Sequence, residues 1–272
     1  MTILDKFKLT GRVTIVTGGA GLLGSEFCRT LAEAGAAVVV ADLAAGPARN
    51  VAGSLTQAGY RALGVGVDVT YPDSVGTMVE TTLKEFGRLD ILVNSAALDP
   101  KISPEGTVRD ASSFESYSLE AWKTALEVNL TGMFLATQAA VKPMRAQGKG
   151  SIINICSTYG LVAPDQRIYQ KPDQPPQYKP VYYSVTKAGV LGFTHYLAAY
   201  YAGTEIRVNA LTPGGVYNDQ DELFVKNYSS RAIMGRMAHR DEMSGALLFL
   251  ASDASSYMTG SNLVVDGGWT AW

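Results

Sequence analysis

Tyr183 and Lys187 stand four residues apart in the stretch Tyr183-Ser184-Val185-Thr186-Lys187. On a helix that spacing puts both side chains on one face, one turn apart. The chemistry open to such a pair is proton transfer. A phenol titrates near pH ~10 and is a poor acid-base group at neutrality. An ammonium fixed beside it favours the phenolate. Bringing the phenol down by about 3 pKa units takes roughly 4 kcal/mol of differential interaction. A partly buried charge supported by hydrogen bonds can supply that; an exposed pair cannot. Read alone, Tyr-x-x-x-Lys is an ordinary solvated helix face. Its meaning depends on what the rest of the chain places beside it.

A second signal lies near the start. The β-rich run Arg12–Thr17 leads into Gly18-Gly19-Ala20-Gly21-Leu22-Leu23-Gly24, and helical apolar spacing follows over Ser25–Ala34. Glycines let a backbone approach a pyrophosphate, and a helix start offers free N–H groups and a positive dipole end. A tight turn is the plainer reading of the same glycines. The apolar run Ala36–Asp42 reads as a parallel strand covered on both faces. It ends in Asp42, an acid about 20 residues beyond the glycines, placed to accept from ribose hydroxyls. Asp42 also repels a 2′-phosphate, and the next cation is Arg49. NAD is therefore expected over NADP. Capping the following helix is the plainer role for Asp42.

Further strands are expected at Ala62–Val69, Leu89–Asn94, Ser151–Ser157, Ile206–Thr212 and Asn262–Val265. Helices are expected at Pro47–Ala58, through Phe86, over Leu119–Ala146, Tyr182–Tyr201 and Asp241–Ala251. Alternating strand and helix means a parallel, doubly wound sheet. Asn94-Ser95-Ala96-Ala97 leaves room at a strand's carboxyl end, where open α/β sheets bind ligands. Leu98–Ser118 is long for a connection, which points to a functional loop. Asn129 sits inside a predicted helix, where it lowers helix propensity and asks for a reason. Residues 163–180 hold several prolines and should be irregular. Residues 216–238 read as a cover over the site.

With 272 residues and 47% hydrophobic content, the chain can bury a sizeable core as one α/β domain, residues 1–272. A net charge of −2 with no basic run gives nucleic acid no footing. Cys28 and Cys156 form no metal-binding or disulfide pattern. No apolar run approaches the ~18 residues of a membrane span. The expectation is a cytoplasmic protein with no metal, nucleic-acid or membrane partner.

Taken together, the motifs resemble the short-chain dehydrogenase/reductase family. The matching pieces are Thr17-Gly18 with Gly24, Asp68-Val69, Asn94-Ser95-Ala96-Ala97, Val128-Asn129, Ser157, Tyr183 with Lys187, Arg207-Val208-Asn209 and Pro213-Gly214. The resemblance implies a single-domain Rossmann fold with about seven parallel strands flanked by helices. It implies hydride transfer between an alcohol carbon and a nicotinamide ring, and a homotetramer. It implies Tyr183 as general acid-base, Ser157 holding the substrate oxygen, and Lys187 binding the nicotinamide ribose while lowering the Tyr183 pKa. Asn129 would hold a water in the proton path. Cofactor contacts would come from Gly18, Ala20, Gly21, Leu22, Leu23, Gly24, Asp42, Asp68, Val69, Asn94, Ala96, Tyr183, Lys187, Pro213, Gly214 and Val216. Substrate contacts would come from Ser157, Tyr159, Arg167, Tyr183 and Gly215.

Three features depart from the family's pattern. Leu22 stands where the family usually has Gly, Asn94-Ser95-Ala96-Ala97 replaces Asn-Asn-Ala-Gly, and the interval from Ser157 to Tyr183 is about twice the usual length. That insert is expected to wall the substrate pocket, with Arg167 as anion contact. Lys101, Arg109, Lys171, Lys179, Arg231 and Arg236 are the other loop cations. A sugar or polyol derivative, phosphorylated or nucleotide-linked, is the first expectation for the substrate. A simple secondary alcohol or 3-oxoacyl group is the second. A dinucleotide sensor without chemistry would lack the Tyr or the Lys, and both are here. The apolar C-terminal segment, Leu263 to Trp272, reads as a subunit contact.

Overall fold

The computed structural model of the protein describes residues 2–99 and 113–272. Lys101, Arg109 and most of the long loop expected before Ser118 lie outside the described residues. Within them, one sheet is built from β1 Val13–Thr17, β2 Ala37–Asp42, β3 Ala62–Gly66, β4 Ile91–Asn94, β5 Lys149–Ile155, β6 Glu205–Pro213 and β7 Asn262–Val265. Its order is β3-β2-β1-β4-β5-β6-β7 with every neighbouring pair parallel. The helices are α1 Leu22–Glu33, α2 Ala45–Gln57, α3 Pro72–Phe86, α4 Leu119–Leu126, α5 Gly132–Gln147, α6 Val181–Tyr200, α7 Glu222–Ser229 and α8 Ser244–Ala251. This is the Rossmann arrangement.

The continuous apolar runs have a direct cause. Successive side chains of a strand point to opposite faces, and here both faces are covered. Val16, Val38, Val40 and Val93 pack with α1, α2 and α8 on one side. Ile15, Val39, Ala41 and Leu92 pack with α3 and α5 on the other. The chain leaves β1 towards β3, then returns to β4 on the opposite side of β1. That reversal opens a crevice beyond the carboxyl ends of β1 and β4, the place where such sheets bind ligands.

Several elements differ from expectation in their bounds, and two of the differences bear on the site. β3 stops at Gly66 rather than Val69, because Asp68 folds the chain into a turn, its Oδ1 accepting from the Thr70 N–H and Oγ1. The long helix expected over Leu119–Ala146 is interrupted by a π-helical turn, Glu127–Thr131, that carries Asn129. The 163–180 insert is irregular apart from a 3-10 turn at Gln166–Tyr169, and Pro180 stands at the N-cap position of α6. The 216–238 segment contains α7, whose first turn is capped by Asp221 accepting from the Phe224 N–H. No helix among the described residues is long and apolar enough to cross a membrane. No group of His, Cys, Asp or Glu among them could hold a metal ion.

Candidate active site

One cleft runs along the carboxyl ends of the strands, from the Gly-rich turn to α7. At its first end, glycine is required by contact. Gly18 has φ +66°, and a Cβ there would lie 2.8 Å from the Ala96 Cα. A Cβ on Gly24 would run into the Gly18 carbonyl oxygen. Leu22 is already the first residue of α1, and the turn before it is closed by the Gly21 N–H donating to the Gly18 carbonyl at 3.1 Å. Gly21, Leu22, Leu23 and Gly24 line the cleft where the N–H groups of a first helical turn have no intrahelical partner. Asp42 lines it beside Leu43, and its Oδ2 accepts the Ala20 N–H at 3.0 Å. It does not cap α2, whose N-cap is Ala44. A glycine cradle with its Cβ space already filled, a helix start and a carboxylate at this distance fit a dinucleotide.

Asp68, Val69, Ala96, Pro213, Gly214 and Val216 continue the cleft wall. Two residues expected in that wall are placed elsewhere. The Ala20 N–H is spent on Asp42. Asn94 turns into the protein, where its Nδ2 donates to Thr137 Oγ1 and to Asn154 Oδ1, both at 2.9 Å. A buried amide needs such partners, so Asn94 braces β4 against β5 and α5 behind the cleft.

Ser157, Tyr183 and Lys187 meet at the centre of the cleft. Ser157 follows β5 and caps a short 3-10 turn, its Oγ accepting from the Tyr159 N–H at 3.2 Å. Its hydroxyl interacts with the Tyr183 phenol, which lowers the phenol pKa. The net direction is nevertheless upward. Dense enclosure is the first cause and the charge of Asp99 the second. Lys187 does not reverse this. Its Nζ donates to the Ile155 carbonyl at 2.9 Å and lies 5.8 Å from the centre of the Tyr183 ring. Burial lowers its own pKa as well. Lys187 is expected to lower the Tyr183 pKa; the largest influences on that phenol in this structure, burial and Asp99, act upward. Asn129 stands behind these residues. Its Oδ1 accepts the Leu98 N–H at 2.7 Å, and its Nδ2 donates to the Leu98 carbonyl and to Thr186 Oγ1, both at 3.2 Å. It ties the loop after β4 to the residue preceding Lys187.

The far end of the cleft is an apolar and aromatic wall. Tyr159, Tyr169, Phe224, Tyr228 and Met237 line it. The Tyr169 hydroxyl donates to Tyr159 at 2.9 Å, and Tyr228 stacks on Trp269 with ring centres 4.2 Å apart. Trp269 thus packs inside its own chain. Gly215 must be glycine because the Tyr228 ring fills its Cβ position, and the Tyr228 oxygen accepts the Gly215 N–H. Arg167 is not part of this wall. Its side chain is 79% exposed and folds back on Asp165, Nε to Oδ1 at 2.8 Å. The cation that the insert does bring to the cleft is Lys179, opposite Asp99. The sequence offered Lys179 as one loop cation among seven, with no local signal to single it out.

The sequence pattern of a family described as enoyl-(acyl carrier protein) reductase matches residues 19–270. Cis-4-hydroxycyclohexanecarboxylate dehydrogenase of Sinomonas cyclohexanicum is 39% identical over 96% of this chain and 97% of its own length. The chain belongs to the short-chain dehydrogenase/reductase family. Another short-chain relative, 3-alpha-(or 20-beta)-hydroxysteroid dehydrogenase of Mycobacterium tuberculosis (strain H37Rv), is 38% identical over 97% of this chain and 91% of its own. Among solved structures, a gluconate 5-dehydrogenase from Burkholderia cenocepacia, in complex with NADP and tartrate, superposes with a TM-score of 0.87. It is 31% identical, with 100% of both chains covered. As a short-chain dehydrogenase/reductase, this protein is an NAD(P)-dependent oxidoreductase acting on CH–OH groups. The nicotinamide, when bound, supplies the hydride acceptor and, oxidised, a positive charge that favours a nearby phenolate. The cleft's own groups can hold an alcohol oxygen between two hydroxyls and take its proton.

Proposed function

We propose that this enzyme oxidises a secondary alcohol carried on a compact ring, with NAD as acceptor. The observation that carries the reading is the wall facing Ser157 and Tyr183: Tyr159, Tyr169, Phe224, Tyr228 and Met237. A carbocycle buries its faces against such a wall, whereas each hydroxyl of a sugar would need a polar partner there. The likeness to an enzyme named for a hydroxycyclohexane acid supports the same class. Tyr183 takes the proton, Ser157 holds the substrate oxygen, Lys187 anchors the cofactor's ribose, and Asn129 orders the proton path. Asp42, with Leu43 following it, supports NAD over NADP through acceptance from the ribose and repulsion of a 2′-phosphate. A polyol acid is the second reading. Asn218 and Gln220 at the cleft favour it, as does the likeness to a gluconate dehydrogenase.

The test is steady-state reduction of NAD and NADP over 4-hydroxycyclohexanecarboxylate, cyclohexanol and gluconate. A higher kcat/KM with NAD on the ring alcohols is expected. Preference for NADP, or for gluconate, contradicts the corresponding half of the proposal. The exposed aromatic residues Tyr196 and Tyr200 on α6 support a homotetramer as the working form. Sedimentation giving a monomer would overturn that assembly.

A further inference from the structure

Lys179 is the unusual residue of the cleft. It belongs to the insert, its side chain is only 11% exposed, and its Nζ lies 3.9 Å above the centre of the Tyr183 ring. The backbone that carries it is clamped. The Gln166 Oε1 accepts the Lys179 N–H at 2.8 Å, and the Gln166 Nε2 donates to the Lys179 carbonyl at 3.3 Å. The Gln166 carbonyl in turn accepts from Gln170 Nε2. A long, flexible cation is thereby held over the ring of the acid-base tyrosine, where its stem and the ring desolvate it together.

Its partner is of a different kind. The Asp99 Oδ1 meets Lys179 Nζ at 2.5 Å, but the Asp99 side chain is 59% exposed and sits on the loop leaving β4. The cation is fixed and enclosed; the anion is at the mouth. An exposed carboxylate can swing into water, and an incoming carboxylate that takes its place leaves the enclosed ammonium paired throughout. A carboxylate is already the group seated on Lys179, so a substrate carboxylate fits the same place. Among the described residues lining the cleft, the other cation is Lys187, which is committed to Ile155. One cation matches one carboxylate better than a phosphate, which is held best by several donors.

We propose that Lys179 is the anion-recognition residue of the substrate pocket, taking the carboxylate of a small hydroxy acid, and that Asp99 occupies its place until that group arrives. This rests on the reading of the cleft as a secondary-alcohol site, and it narrows the substrate. The hydroxyl must reach Tyr183 while the carboxylate reaches an ammonium just above the same ring. The two groups are therefore joined by one ring or a short chain. Asp99 also acts as a filter, because a neutral alcohol gains nothing that offsets breaking its pair with Lys179.

The test is calorimetric binding to the NAD-saturated protein, with cyclohexanecarboxylate and cyclohexanecarboxamide as probes that carry no oxidisable hydroxyl. The carboxylate should bind more tightly than the amide, and Lys179→Met should reduce that ratio by at least about tenfold. Lys179→Arg should keep most of it. Asp99→Asn should tighten the carboxylate by about two- to fivefold, because the internal competitor is gone. Equal binding of both probes by the wild type overturns the proposal. So does an unchanged ratio in Lys179→Met, or no tightening in Asp99→Asn, which also decides the matter if the Met variant does not fold. Turnover is a separate readout. Lys179-dependent carboxylate binding in a protein that oxidises no secondary alcohol leaves this site standing and removes the proposed function. Turnover of cyclohexanol with equal binding of the two probes does the reverse.

Discussion

At the scale of residues, the balance of charge around Tyr183 decides what the site can do. Enclosure and Asp99 raise the phenol pKa, and Ser157 lowers it. With Tyr183 as the proposed base, alcohol oxidation needs its phenolate, so kcat/KM should climb with pH along a limb set by Tyr183. Removing the Asp99 charge removes one cause of the raised pKa. Asp99→Asn should therefore shift that limb to lower pH, measured by pH profiles of kcat/KM on cyclohexanol. A limb that stays put, or moves to higher pH, contradicts this balance. Tyr183, Lys187 and Asp42 could be singled out in the sequence by type and spacing, and Ser157 by the family resemblance; all four line the cleft. Lys179 was visible only as one loop cation among several, because what selects it is the Gln166 clamp, a contact made by folding. Arg167 misled for the converse reason. Asp165, two residues before it, is close enough to neutralise it locally. Asn94 misled too, since nothing in the sequence says which way a side chain at a strand end turns.

At the scale of elements, the insert and the 216–238 segment work as one wall. Ile168 and Tyr169 from the insert pack with Tyr228, Met237 and Trp269. Two ionic ties reinforce the join: Asp165 to Arg231, and Lys171 Nζ to Asp221 Oδ2 at 3.0 Å. The hydrogen bond from Arg167, with help from Arg231, lowers the Asp165 pKa to about 2. Its folded value lies below the unfolded value of about 4, so it contributes stability above that pH and loses it as pH falls towards 2. Its partners are largely exposed, which limits the contribution to about 1 kcal/mol or less. Asp165→Asn should leave Tm nearly unchanged, speed hydrogen exchange across 163–180, and raise KM. Exchange equal to wild type would show that the tie does not hold the insert. The sequence showed the insert's length and stiffness. It could not show the joint with α7, whose partners lie far apart in the chain. The π-helical turn was illegible for another reason. A single widened turn leaves no periodic trace, and only Asn129 inside a helix hinted at it.

At the scale of the whole molecule, strands with apolar side chains on both faces declared a parallel sheet, and their alternation with helices declared the winding. The strand order β3-β2-β1-β4-β5-β6-β7 then places the Gly-rich turn, the end of β4 and the end of β5 along one crevice. In the proposed function, hydride acceptor, acid-base tyrosine and substrate wall share one edge of the sheet. We propose that this edge oxidises a secondary alcohol through Tyr183. Tyr183→Phe keeps the ring under Lys179 and removes only the hydroxyl. The deciding measurement is the rate of NADH formation from 4-hydroxycyclohexanecarboxylate by wild type and Tyr183→Phe, with NAD affinity measured beside it. A loss of about two to four decades in kcat is expected for Tyr183→Phe, with NAD affinity largely kept. A Tyr183→Phe enzyme that turns over within about threefold of wild type would contradict it.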